Sequence, residues 1–123
     1  HGFSFTEFEY GEPTILPKES CPEEACVQVE VKNDGRTPGA EVAQAYLDLS
    51  AVPNTPKKQL KGFHKTKVLG PKESELVTFA FRERDLSFFD VQTMSWRRVP
   101  GSIPVHIGSS CEDIRQQTTL TFA

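Results

Sequence analysis

Cys26-Val27-Gln28-Val29-Glu30-Val31 is the stretch whose reading decides the fold. Val27, Val29 and Val31 fall on one side of an extended chain, with Gln28 and Glu30 on the other. That is the period-two pattern of a strand with one buried face. The run stops at Asn33-Asp34-Gly35, residue types that tolerate the left-handed backbone of tight turns. The same signature repeats outward from it. Residues 5–16 read as a first strand, kinked near Gly11 and Pro13, and residues 40–49 as a third. Pro53-Asn54-Thr55-Pro56 reads as a loop, because two prolines keep it out of a central ladder. Residues 59–63 and 65–69 read as short strands, and Gly70-Pro71-Lys72-Glu73-Ser74 as a turn. Residues 76–81 follow with Val77, Phe79 and Phe81 on one face. Residues 84–90 predict one tight helical turn and a short extended piece. A hairpin with Trp96 and Val99, a turn at Pro100-Gly101 and strands over 103–107 and 114–122 complete the chain.

Many short strands, closely spaced turn signals and no helix-period segment predict an all-β chain. The expected architecture is an immunoglobulin-like or fibronectin type III-like antiparallel β-sandwich. At 123 residues the chain is one domain, residues 1–123. A domain of that size buries roughly two-thirds of its unfolded surface without a metal or a disulfide framework. A net charge of −3 carries no basic footprint for nucleic acid. No apolar run reaches the roughly 18 residues that would span a bilayer. The chain opens on His1 and passes at once into a strand-like segment, with no signal-peptide pattern. It reads as a piece whose preceding residues, and whose targeting, are not in view.

Residues 40–49 depart from simple alternation. Ala43, Ala45, Leu47 and Leu49 share one face, while Val42 and Tyr46 join Gln44 and Asp48 on the other. A strand apolar on both faces wants cover on both. The second cover is either a neighbour outside this chain or the overlying loop 53–56. Cys21 and Cys26 flank four residues and either close a hairpin loop as a disulfide or stay as free thiols. Cys111 has no third partner and reads as a turn residue. No spacing of Cys and His suggests zinc.

Gly2-Phe3-Ser4-Phe5-Thr6, with Phe8 and Tyr10, resembles the segment that enters the C-terminal fibronectin type III-like domain of family-three glycoside hydrolases. The resemblance continues through Val31 to Gly35, Gly39 to Leu47, Gln59 to Lys65 and Pro71 to Ser74. It then takes in Asp85-Leu86-Ser87-Phe88-Phe89-Asp90, Trp96, Pro100-Gly101, Gly108-Ser109-Ser110 and Asp113-Ile114. Departures are small. Phe3 and Phe5 stand where Leu and Tyr are usual, Cys111 replaces a small polar residue, and the loop between Cys21 and Cys26 is particular to this chain. The resemblance implies a parent glycosidase, most often a β-glucosidase, with its nucleophile on a barrel domain and its acid/base residue on an α/β domain. Residues 1–10 would then be the entry segment from those catalytic domains. The location is extracellular if the parent is secreted.

For chemistry within the chain, glycosidases need two carboxyl groups roughly 5 to 9.5 Å apart across a sugar. Asp85, Asp90 and Glu83 are the nearest candidates, and capping a turn is the stronger expectation for both aspartates. Ser109 and Ser110 lack a nucleophile elbow and read as a turn. His106 alternates away from Val105 and Ile107 onto an outer face, and His64 lies among lysines. No catalytic residue, cofactor or metal site is expected. Lys57, Lys58, Lys61, Lys65, Lys67 and Lys72 form a basic stretch without an acid between Asp48 and Glu73. It either docks an acidic partner or is a solvated face whose lysines discourage edge pairing.

Two functions follow. In the first, the chain is a non-catalytic accessory domain that partners the catalytic domains through Phe3, Phe5, Phe8, Val42 and Tyr46. For Phe5 and Phe8 a place in the sandwich core is the alternative. In the second, it binds plant polysaccharide or lignin through Tyr46, Phe88, Phe89 and Trp96. Neither nucleic acid nor a membrane is an expected partner. An ordinary adhesion or signalling fibronectin domain would lack both the entry segment and the Asp-Leu-Ser-Phe-Phe-Asp motif.

Overall fold

A computed structural model describes residues 7–50, 52 and 58–122. Among them are ten strands in two four-stranded sheets and a separate ribbon. The first sheet is built on β3 (Ala25–Asn33), with β1 (Phe8–Tyr10) and β2 (Thr14–Ile15) along one edge and β6 (Ser74–Phe81) along the other. The second sheet takes the order β10-β9-β4-β5. Its strands are β4 (Val42–Asp48), β5 (Lys58–Lys65), β9 (Ser102–Ser110) and β10 (Asp113–Thr121), and each neighbouring pair is antiparallel.

The inward faces are those the alternation predicts. Val27, Val29, Val31, Val77, Phe79 and Phe81 face Ala43, Ala45, Leu47, Ile103, Val105 and Ile107, all buried. Each of the larger of these side chains contributes about 1.5–3 kcal/mol on leaving water, before the entropy of ordering it is counted. Leu49, Val52, Leu86 and Val99 close the ends of this core.

Several boundaries differ from the expectation. Residues 5–16 form two short strands rather than one, because the chain leaves the ladder between Tyr10 and Thr14; residue 5 itself lies outside the described residues. Residues 59–63 and 65–69 are not two strands. A single β5 ends at Lys65, and Leu69 joins no strand, forming instead an isolated bridge to Gly39. The turn at Asn33-Asp34-Gly35 needs no left-handed residue. Asn33 is fully buried and staples it by side chain: Nδ2 donates to the carbonyls of Thr37 (2.9 Å) and Leu69 (2.8 Å), and Oδ1 accepts from Gly35 N–H (2.9 Å). Cys21 and Cys26 are joined by a disulfide, which pins the short 3₁₀ turn Lys18–Ser20 to the start of β3.

Candidate functional site

No group of three His, Cys, Asp or Glu side chains among the described residues is arranged to hold a metal ion. The carboxylates singled out by sequence are each engaged locally. Asp85 accepts from the Arg82 N–H at 2.8 Å and so caps the 3₁₀ turn Glu83–Leu86. Asp90 accepts from the Gln92 N–H at 2.9 Å, and Glu83 pairs with Arg98 at 2.9 Å. Ser109 bonds Asp113 beside the β9–β10 turn. His64 Nε2 lies 2.7 Å from the Glu75 carboxylate.

Three surface features remain. The first is a clamp on the incoming strand. Arg115 grips Asp113 through two bonds (2.7 and 3.0 Å) and donates to the Phe8 carbonyl at 2.9 Å. Gln116 donates to the Tyr10 carbonyl at 2.7 Å, and the Tyr10 hydroxyl donates to Glu41 at 2.9 Å. Burial, and then the Glu41 carboxylate, push the Tyr10 hydroxyl far above its ordinary range, so it stays protonated and donates. The hydrogen bonds from Arg115, then Ser109, hold Asp113 below the usual carboxylate range. Phe8 is half-buried against the core, while Phe3 and Phe5 lie outside the described residues.

The second feature is the ribbon of β7 (Ser87–Asp90) and β8 (Ser95–Arg98). Phe89 and Trp96 pair across it edge to face at 5.7 Å, and both are about half exposed. The Arg84 guanidinium sits 4.8 Å over the Trp96 ring. Phe88 turns the other way and packs partly on the core.

The third is the outer face of the second sheet. Its cross-strand rows read Lys65–Val42, Phe63–Gln44–Gly108, Leu60–Tyr46–His106–Gln117 and Lys58–Asp48. Phe63 is 71% exposed, Leu60 49% and Val42 38%. Tyr46 is half-buried, and its hydroxyl donates to Gln44. The loop that is the alternative cover for Val42 and Tyr46, residues 53–56, lies outside the described residues.

Leu60 and Phe63 were not legible as partners on this face. They are three residues apart, an odd spacing that puts side chains on opposite faces of a regular strand. The register shifts at Lys61, which is an extra residue between the Leu60–Tyr46 and Gly62–Ala45 pairs. A bulge of this kind re-aims the residues that follow. Nearby, His106 lies 3.8 Å from Asp48, and its Nε2 is buried with no hydrogen-bond partner among the described residues. Burial foremost, helped by Lys58, lowers its pKa below the ordinary 6.5.

Comparison with known proteins places this arrangement. Residues 41–111 match the family model described as fibronectin type III-like domain. The chain is 48% identical over 92 residues to the probable β-glucosidase L of Aspergillus fumigatus, a match covering 74% of this chain and 12% of that protein. It is 40% identical over 124 residues to β-glucosidase cel3A of Pyricularia oryzae, covering 93% of this chain and 16% of the relative. Among solved structures, a β-D-glucoside glucohydrolase from Trichoderma reesei superposes with a TM-score of 0.86 at 38% identity, covering all of this chain and 20% of that one. β-Glucosidase 3B from Thermotoga neapolitana, solved with glucose, gives 0.84 at 33% identity, over 98% of this chain and 16% of that one. The chain therefore spans between an eighth and a fifth of the length of these relatives. It belongs to the fibronectin type III-like domain family, in the form that resembles the domains carried within these β-glucosidases.

Proposed function

We propose that this chain is a non-catalytic accessory domain of a family-three, β-glucosidase-type glycoside hydrolase, and that it supports the fold and stability of the catalytic domains. One observation carries the reading. The whole sandwich recurs, at TM-scores of 0.84 to 0.86, as a minor portion of much longer chains named as β-glucosidases. The local engagement of Asp85, Asp90 and Glu83 agrees with it, since each already serves a turn or an ion pair. Support of this kind comes from interface area, and domain interfaces within a chain bury about 600–1,500 Å². The test is the parent enzyme with and without the domain. Deletion should lower its melting temperature, and an unchanged melt contradicts the role.

The exposed pair Phe89 and Trp96 favours a second reading, binding of plant polysaccharide or lignin by ring stacking. Pull-down of the chain with cellulose, xylan and lignin decides it. Retention lost on Trp96→Ala, in a variant that still folds, supports stacking. Absence of retention on all three polymers removes that reading and leaves the first.

A further inference from the structure

We propose that the outer face of the β10-β9-β4-β5 sheet, centred on Leu60 and Phe63, is where this domain docks on the catalytic domains of its parent. The partner surface there is apolar at its centre and carries carboxylates at its margins. The inference rests on the accessory-domain reading and adds to it the location and the chemistry of the contact.

The two outer faces of the sandwich differ in the way a covered face differs from a wetted one. On the first sheet, Gln28 bonds Thr78 at 3.1 Å and Ser74 bonds Glu30 at 2.9 Å, so a polar network faces water. Among the described residues of this outer face Leu76 is the one large exposed apolar side chain, opposite Glu30; Ile15, also exposed, lies in the edge strand β2 in register with the inward Val27. On the second sheet, Val42, Leu60 and Phe63 are exposed together and border Tyr46. A single exposed leucine needs no explanation, whereas a contiguous apolar patch with a polar rim marks a contact surface.

Two polar groups within the patch already have partners, while the His106 Nε2 beside Tyr46 has none among the described residues. The Tyr46 hydroxyl is already bonded to Gln44, and Asp48 already accepts from the Ser50 N–H at 2.9 Å. Burying polar groups that keep a hydrogen bond avoids the large cost of stripping their water. At the rim, Lys58 and Lys65 occupy the two ends of β5 on the same face, opposite Asp48 and Val42. Neither makes an ion pair with a described residue. Two cations with no ion pair among the described residues, Lys58 opposite Asp48, flank an apolar centre and fit a partner with acids placed around an apolar patch.

Hydroxyl-radical footprinting of the intact parent enzyme tests the surface against a reference inside the same domain. Leu60 should be modified several-fold more slowly than Leu76, although the two are comparably exposed in the domain itself. Leu60 reacting as fast as Leu76 would overturn the proposal, even where deletion of the domain lowers the parent's melting temperature. Lys58→Glu combined with Lys65→Glu tests the margins. A lower melting temperature of the intact parent supports carboxylates opposite, and an unchanged or higher one refutes them.

Discussion

Leu60 and Phe63 point out of the same face of β5 because Lys61 is an extra residue in the ladder between them. Without that bulge one of the two would enter the sandwich and the outer patch would not exist. The core beneath is tight enough to make the arrangement specific. Gly62, next to the bulge, faces inward with room for little more than a hydrogen, since an added Cβ would stand 3.1 Å from the Phe79 ring.

Two glycines on this sheet should therefore respond differently to alanine. At Gly62 the obstacle is a side chain that can shift, and we expect a loss under about 1.5 kcal/mol. At Gly108 an added Cβ would meet the Asp113 carbonyl oxygen at 2.0 Å, a backbone atom held in the β9–β10 bulges. Gly108→Ala should cost about 3 kcal/mol or more, among the larger single-residue effects. Urea titration of both variants checks the order, and equal losses would contradict it.

The disulfide should contribute modestly. A bridge between residues five apart closes a small loop, worth about 2 kcal/mol in the chain-entropy view. Cys26 is fully buried on the outer side of β3, and Cys21 lies at the end of the 3₁₀ turn. Replacing both with serine should lower the unfolding free energy by about that amount or a little more, and leave the sandwich folded by circular dichroism. Loss of the fold would mean the short hairpin matters more than its size implies.

Acidification should weaken the second sheet through His106. Its pKa is depressed in the folded state by burial, then by Lys58, against the opposing pull of Asp48. The unfolded chain, with an ordinary histidine near 6.5, takes up the proton first. Its contribution is thus fully present above that value and is lost as the pH falls through it. The lowered pKa values of Asp48 and Asp113 act in the same sense at more acid pH, below about 4. His106→Gln should flatten the stability profile between about pH 7.5 and about pH 5.5. An unaltered slope would place the acid sensitivity elsewhere.

Much of this was legible in the residues, for identifiable reasons. Val27, Val29 and Val31 alternate without interruption, so the central strand and its buried face follow from periodicity alone. Val42 and Tyr46 were readable as outward apolar residues because β4 is regular over the stretch that carries them. Leu60 and Phe63 were not, because a bulge leaves no pattern of its own; Lys61 is an unremarkable residue in a lysine-rich stretch. Asn33 shows a different limit. Its type announces a turn, yet here it does so by burying its amide and stapling the nearby Thr37 carbonyl to the distant one of Leu69, and that second, long-range bond is not encoded in local sequence.

The most direct test of the account sets Leu60→Lys against Leu76→Lys in the intact parent enzyme, read by thermal unfolding. Leu76 lies on the wetted face, where a surface change should stay within about 0.5 kcal/mol. Leu60 lies on the docking face, where losing a buried leucine costs about 1.5–3 kcal/mol before the charge is counted. The account predicts a clear fall in melting temperature for Leu60→Lys and almost none for Leu76→Lys. Equal melts for the two variants would contradict it.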